Sequence, residues 1–141
     1  MVDDAKIEPR ALVGKWHFER DIVDRLSGST KHVFGETTIS DAGDGRMRWY
    51  ESGTLRDGDL ELPVFRTLFI AERGLEWAVT FEDGREFHDW APGEEVEHLC
   101  GADTYRGRID VTAGDRSTWS VVWTVTGPSK DYTMTTHLTR P

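Results

Sequence analysis

The ten residues His98-Leu99-Cys100-Gly101-Ala102-Asp103-Thr104-Tyr105-Arg106-Gly107 bring together more chemistry than any other stretch of the chain. They hold its only cysteine, a histidine two positions earlier, and an acid and a tyrosine just behind. Gly101 and the short polar run after it read as a tight connection between two strands. His98 and Cys100 then share one face of the incoming strand, and Tyr105 opens the outgoing one. Several chemistries fit. A histidine titrates near neutrality and an enclosed tyrosine donates to a developing oxyanion, so His98, Tyr105 and Asp103 form a candidate acid–base set. A Cys100 nucleophile with His98 as its base is less well served, because residues two apart on a strand sit roughly 6.5–7 Å apart along the backbone. A zinc site needs three or four ligands, and no spaced Cys/His set completes one, so no metal and no cofactor are expected. The plain alternative is an interior histidine beside a small apolar cysteine.

The elements that position these residues read as strands almost throughout. Trp16, Phe18, Arg20 and Ile22 alternate with His17, Glu19 and Asp21, and the apolar set should face inward. Met47, Trp49, Glu51, Gly53 and Leu55 fall on one side of another strand. So do Leu75, Trp77, Val79 and Phe81, then Val96, His98 and Cys100, then Tyr105, Gly107, Ile109 and Val111. Trp119, Val121, Trp123 and Val125 make a further inward set, and Tyr132, Met134, Thr136 and Leu138 the last. Turn signals separate the strands, among them Asp83-Gly84, Gly93 and Ala113-Gly114-Asp115. Pro63 marks a strand that begins late or lies at an edge. Three segments have no readable phase: Lys31 to Ser40, Phe65 to Ala71 and Arg85 to Trp90. That leaves the facing of His32 and His88 open. Pro9 to Val13 fits one helical turn ended by Gly14, and Met1 to Glu8 is expected to be loose.

About ten short strands with turns every 8–12 residues or so indicate a barrel or sandwich. Hairpin-length connections favour an up-and-down meander, and closure removes its edges. The expected fold is a single all-β domain over residues 9–141, an antiparallel up-and-down barrel with a short N-terminal helical turn. The balance of 26 acids against 17 bases, net −9, excludes a basic surface for nucleic acid or an anionic membrane. No apolar segment reads as a leader or a span, and a lone cysteine makes no internal disulfide. A soluble, cytoplasmic protein is expected.

Gly14-Lys15-Trp16 opening the first strand resembles the Gly-x-Trp start of lipocalins and other calycins. The order of elements is also similar to fatty-acid-binding proteins and nitrobindins. Four stretches resemble an uncharacterised family of small bacterial calycin-like domains: Leu12 to Trp16, Tyr50 to Leu55, His98 to Gly107, and Thr126-Gly127-Pro128 with Lys130-Asp131-Tyr132. The resemblance spans nearly the whole chain and implies the barrel; it supplies no activity. His137 lies about where nitrobindin-like barrels carry a haem ligand, but strand phase leaves it outside and the local sequence does not match.

By parity, Arg20, Glu51, His98, Cys100, Tyr105 and Tyr132 point into the barrel, where an unpaired charge is costly. An Arg20–Glu51 pair with hydrogen-bonded tyrosines would be structural; lining a cavity, the same groups would address a polar head group. Trp49, Trp77, Trp119 and Trp123 supply an aromatic wall and stacking surfaces, and Lys130 with Asp131 would rim its mouth. Three functions follow: a barrel binding a small-molecule ligand, a cofactor-independent isomerase, dehydratase or cyclase using His98 and Tyr105, and a filled dimerisation or scaffold domain. A homodimer is compatible with each.

Overall fold

Alternation of inward apolar and outward polar residues carries the chain through ten antiparallel strands, and the computed structural model describes residues 7–112 and 116–141 of it. In order they are β1 (Gly14–Asp24), β2 (Thr30–Asp41), β3 (Met47–Asp57), β4 (Leu60–Arg73), β5 (Glu76–Phe81), β6 (Glu86–Asp89), β7 (Glu95–Cys100), β8 (Asp103–Val111), β9 (Thr118–Gly127) and β10 (Lys130–Thr139). They form one sheet in which every pair of sequence neighbours except β6 and β7 is hydrogen-bonded, and β1 also pairs with β10, Phe18 opposite Leu138 and Arg20 opposite Thr136. The ends of the sheet are β6 and β7. The up-and-down barrel is therefore nearly closed, with a seam between β6 and β7.

The expected turn at Ala113-Gly114-Asp115 lies outside the described residues, as do residues 1–6 of the N-terminal stretch. Ile7 is in the core, its carbonyl accepting a hydrogen bond from Trp90 Nε1 at 2.8 Å. A 3-10 turn, Pro9–Leu12, follows, with Pro9 and Leu12 buried. It caps the barrel: Trp16 Nε1 donates to the Leu12 carbonyl at 2.9 Å, and Trp16 meets Trp119 edge-on at 5.8 Å between ring centroids. Trp49 adds to this floor, 5.4 Å from Trp119 and 6.4 Å from Trp90. Ile39, Met47, Ile70, Val111 and Leu138 complete a sealed end.

The opposite end carries the tight turns after β1, β3, β5, β7 and β9. Inward side chains there are only partly buried: Ile22, Leu55, Val64, Phe81, Phe87, Tyr105 and Met134. Strand β4 begins at Leu60, earlier than its patterning indicated, because Leu62 and Pro63 pair with Leu55 and Thr54 of β3. Pairing with β5 starts only at Leu68. Residues 60–67 thus form an edge, which is why Pro63 is tolerated. Leu75, expected inside, is fully exposed in the β4–β5 turn. Where β2 crosses β3, Gly35 and Gly53 lie face to face; a Cβ on Gly53 would come within 2.3 Å of the Phe34 carbonyl. The absence of a side chain lets the two backbones touch.

Candidate functional site

Two groups of side chains meet inside the barrel. The first is ionic. Arg20 on β1 donates through Nη2 to Glu51 Oε2 on β3 at 2.7 Å, and through Nε to Thr136 Oγ1 on β10 at 2.7 Å. The pair expected from parity is present. A third member was not legible: Arg66 on β4 faces the same carboxylate, with Nη2 at 3.6 Å from Glu51 Oε1. Burial alone would raise the Glu51 pKa, but the guanidiniums of Arg66 and Arg20 outweigh it and hold the carboxyl below the usual glutamate range. These residues border a cavity of about 10 Å³ with Trp49, Val121, Trp123 and Met134, room for about one water. Nearby, Thr37 Oγ1, Trp49 Nε1 and Trp119 Nε1 are buried without a hydrogen-bond partner. The lower lumen is filled, with hydrogen-bonding capacity unspent.

The second group is aromatic and lies along the seam. β5 and β6 pair Val79 with His88 and Thr80 with Glu86, so Phe87 is a bulged residue. Such an extra residue re-aims its neighbours, and both Phe87 and His88 reach the interior: Phe87 stacks on Trp123 at 5.0 Å, and His88 meets the same ring at 5.1 Å. Gly107 on β8 makes room for that indole, since a Cβ there would come within 2.6 Å of it. Across the seam, His98 on β7 lies 5.1 Å from Phe87, 5.7 Å from Phe81 and 6.0 Å from Tyr105. Rings hold together here what backbone pairing does not.

His98 and Tyr105 are therefore neighbours, but the Asp103 carboxylate goes elsewhere. It pairs with Lys130 Nζ at 2.9 Å and occupies the space left free by Gly127. Lys130 also donates to the Tyr105 hydroxyl at 3.4 Å. Tyr132, half-buried beside Tyr105, has its hydroxyl pKa pushed up to about 12, by burial first and then by Tyr105. Asp131 is taken by Arg25, 2.8 Å away. Cys100, expected inside, is exposed; its parity is inward, but it is the last residue of β7 and stands beyond the wall. Trp49, Trp77 and Trp119 lie at the sealed end, Trp77 under the Arg10 guanidinium. Of the four tryptophans assigned to the wall, Trp123 alone joins the aromatic group. His32 faces outward on Asp21, and His137 is exposed. Among the described residues, no three His, Cys, Asp or Glu side chains are grouped to hold a metal.

His88 is 7% exposed, with Nδ1 2.7 Å from the Asp89 carbonyl. A neutral ring that donates from Nδ1 leaves Nε2 as an acceptor inside the barrel. Burial, reinforced by Arg66, lowers its pKa to about 4. The unfolded chain thus takes up this proton at higher pH than the folded one. Stability from the neutral ring is full above about pH 6.5 and is lost as pH falls toward about 4, by up to roughly 3 kcal/mol. Chemical denaturation across that window should show the loss in the wild type and a flatter profile in His88→Phe.

The model of a family of unknown function (DUF6314) matches residues 12–140. The chain belongs to this family. No curated protein matches the sequence. Among solved structures, this DUF6314 chain is similar to an S-type phycobiliprotein lyase, CPES, from Guillardia theta. The TM-score is 0.64 at 10% identity, covering 98% of this chain and 95% of that one. A de novo designed fluorescence-activating β-barrel aligns at TM-score 0.49 and 17% identity over 100% of both chains. A redesigned barrel, mFAP1, bound to DFHBI, aligns at 0.47 and 15% identity, covering 98% of this chain and 100% of that one. What the DUF6314 chain shares with the lyase is the fold. No helix among its described residues is long and apolar enough to cross a membrane.

Proposed function

We propose that the protein is a small-molecule-binding barrel that seats a mainly apolar ligand in the turn end of its lumen. One observation carries this reading: the two ends of the same barrel are finished differently. The capped end is filled with tryptophan and closed by the 3-10 turn. At the other end, inward apolar and aromatic side chains such as Ile22, Leu55, Phe81 and Met134 stay partly accessible. Apolar surface left in contact with water at the mouth of a rigid wall gains from being covered. The acid–base alternative draws less support from the geometry, because Asp103 is engaged by Lys130 and the contacts of His98 are with rings.

The neutral fluorescent probe N-phenyl-1-naphthylamine tests the reading. It should bind the wild type, with emission enhanced and shifted to the blue. Met134→Trp, which adds bulk beside Ile22 and Trp123, should weaken binding about tenfold or more with an unchanged far-UV spectrum. A wild type that fails to bind the probe, or a Met134→Trp variant that binds it equally well, would overturn the proposal.

A further inference from the structure

We infer that the ligand of this barrel is a monoanion, and that Arg66 receives its charged group. The inference rests on the binding reading above and adds the chemical class of what is bound.

The charge count is the first reason. Among the described residues, two guanidiniums, Arg20 and Arg66, and one carboxylate, Glu51, meet inside the barrel, while His88 is neutral at physiological pH. This cluster therefore holds one unmatched positive charge in a protein whose net charge is −9. The carboxylate is not shared evenly. Arg20 takes it in a hydrogen bond of 2.7 Å and spends Nε on Thr136. Arg66 stands 3.6 Å from the other oxygen and, among the described residues, donates no hydrogen bond. A guanidinium carries five donors in a planar fork, and those of Arg66 remain to be used.

Position is the second reason. Strand β4 runs on past the end of β5, so the wall beside residues 60–67 has no partner strand. Arg66 sits in this window. It borders the inner cavity on one side and, on the other, a flank groove of about 790 Å³ where Tyr50, Phe65 and Phe81 stand beside the charged Arg48, Glu82 and an Arg85–Asp83 pair. Its side chain keeps 39% of its surface accessible, as expected of a group lining a wet passage. The packing around its head and the nearby Arg20 make its charge harder to keep than that of an ordinary arginine, an effect that Glu51 partly offsets and the exposed part of the side chain moderates.

An oxyanion with two coplanar oxygens meets both needs. It compensates the extra charge and engages the fork in a bidentate pair. The excess of one charge favours a carboxylate or sulfonate over a phosphate dianion, which would leave a buried negative charge. An aromatic or alkyl body on the same molecule would lie against Phe81 and the inward apolar side chains of the turn end, Ile22, Leu55 and Met134.

A matched probe pair separates this inference from the binding reading. 8-Anilinonaphthalene-1-sulfonate is N-phenyl-1-naphthylamine with a sulfonate added. The wild type should bind the sulfonate about tenfold or more tighter than the neutral probe. Arg66→Gln should abolish that preference while leaving the neutral probe within about twofold, and Arg66→Lys should keep most of it. Arg106→Gln, an exposed arginine on β8 away from this groove, controls for the general field and should change neither probe by more than about twofold. Equal affinity for both probes in the wild type would overturn the anion inference and leave small-molecule binding standing. So would a sulfonate preference that survives Arg66→Gln, or one lost equally in Arg106→Gln. Failure of the neutral probe to bind would instead strike the binding reading itself.

Discussion

Replacing Glu51 with alanine is expected to lower the free energy of unfolding by about 3–5 kcal/mol, the cost of stranding buried charge by removing one partner. Glu51 is 5% exposed and lies between two guanidiniums. Without it, Arg20 keeps Thr136 as its hydrogen-bond partner and the ring of Phe18 beside it, and its nearly buried charge faces that of the more accessible Arg66. The penalty comes chiefly from the arginines left behind, so removing one of them should return part of it. In a double-mutant cycle, Glu51→Ala combined with Arg20→Ala should be less destabilised than the sum of the single variants. The acid limb offers a separate check. The Glu51 pKa is lower in the folded than in the unfolded chain, so its contribution is complete above the usual glutamate range. It is lost as pH falls through the depressed folded value. Glu51→Ala should therefore lose less stability than the wild type over the lowest pH units, below the window in which His88 acts. A change under about 1 kcal/mol, typical of an exposed pair, would mean that the lumen is wetter than its geometry indicates.

Why Glu51 and Arg20 could be placed from sequence while Arg66 could not is a matter of neighbours. On β3, Met47, Trp49 and Leu55 flank Glu51 at the same parity and polar residues fill the other face, so one charge on the inward side is conspicuous. On β4, Val64, Leu68 and Ile70 share parity with Arg66, but Phe65, Phe69 and Ala71 make the outward face just as apolar. With no contrast between faces, the strand has no readable phase, and the natural guess for an arginine is solvent. β6 fails for another reason. Its bulge turns Phe87 and His88 inward together, and no strict period of two can report that. Cys100 shows the limit of parity itself: the face was right, but the strand ends there and the side chain is exposed. The meander and its helical turn were legible because each hairpin carries its own turn residues. The seam was not, since the absence of a β6–β7 ladder is decided by how the sheet closes.

Trp16 is where the capped end can be taken apart by one substitution. Its side chain is fully buried; it holds the 3-10 turn through the Leu12 carbonyl and packs edge-on against Trp119. Trp16→Ala should cost about 3–5 kcal/mol, the range for deleting a large buried aromatic side chain. For a domain of this size that corresponds to a drop in Tm of roughly 10–15 °C. Trp16→Phe separates two contributions, because it restores most of the ring volume while leaving the Leu12 carbonyl without its donor; it should fall between the alanine variant and the wild type. The functional consequence is more selective. If the ligand enters at the turn end, the cap supports the binding wall only at a distance. Trp16→Phe should then lower stability while leaving the affinity for N-phenyl-1-naphthylamine within about twofold. Loss of probe binding in a folded Trp16→Phe protein would move the ligand to the capped end, and with it the role of the tryptophans there.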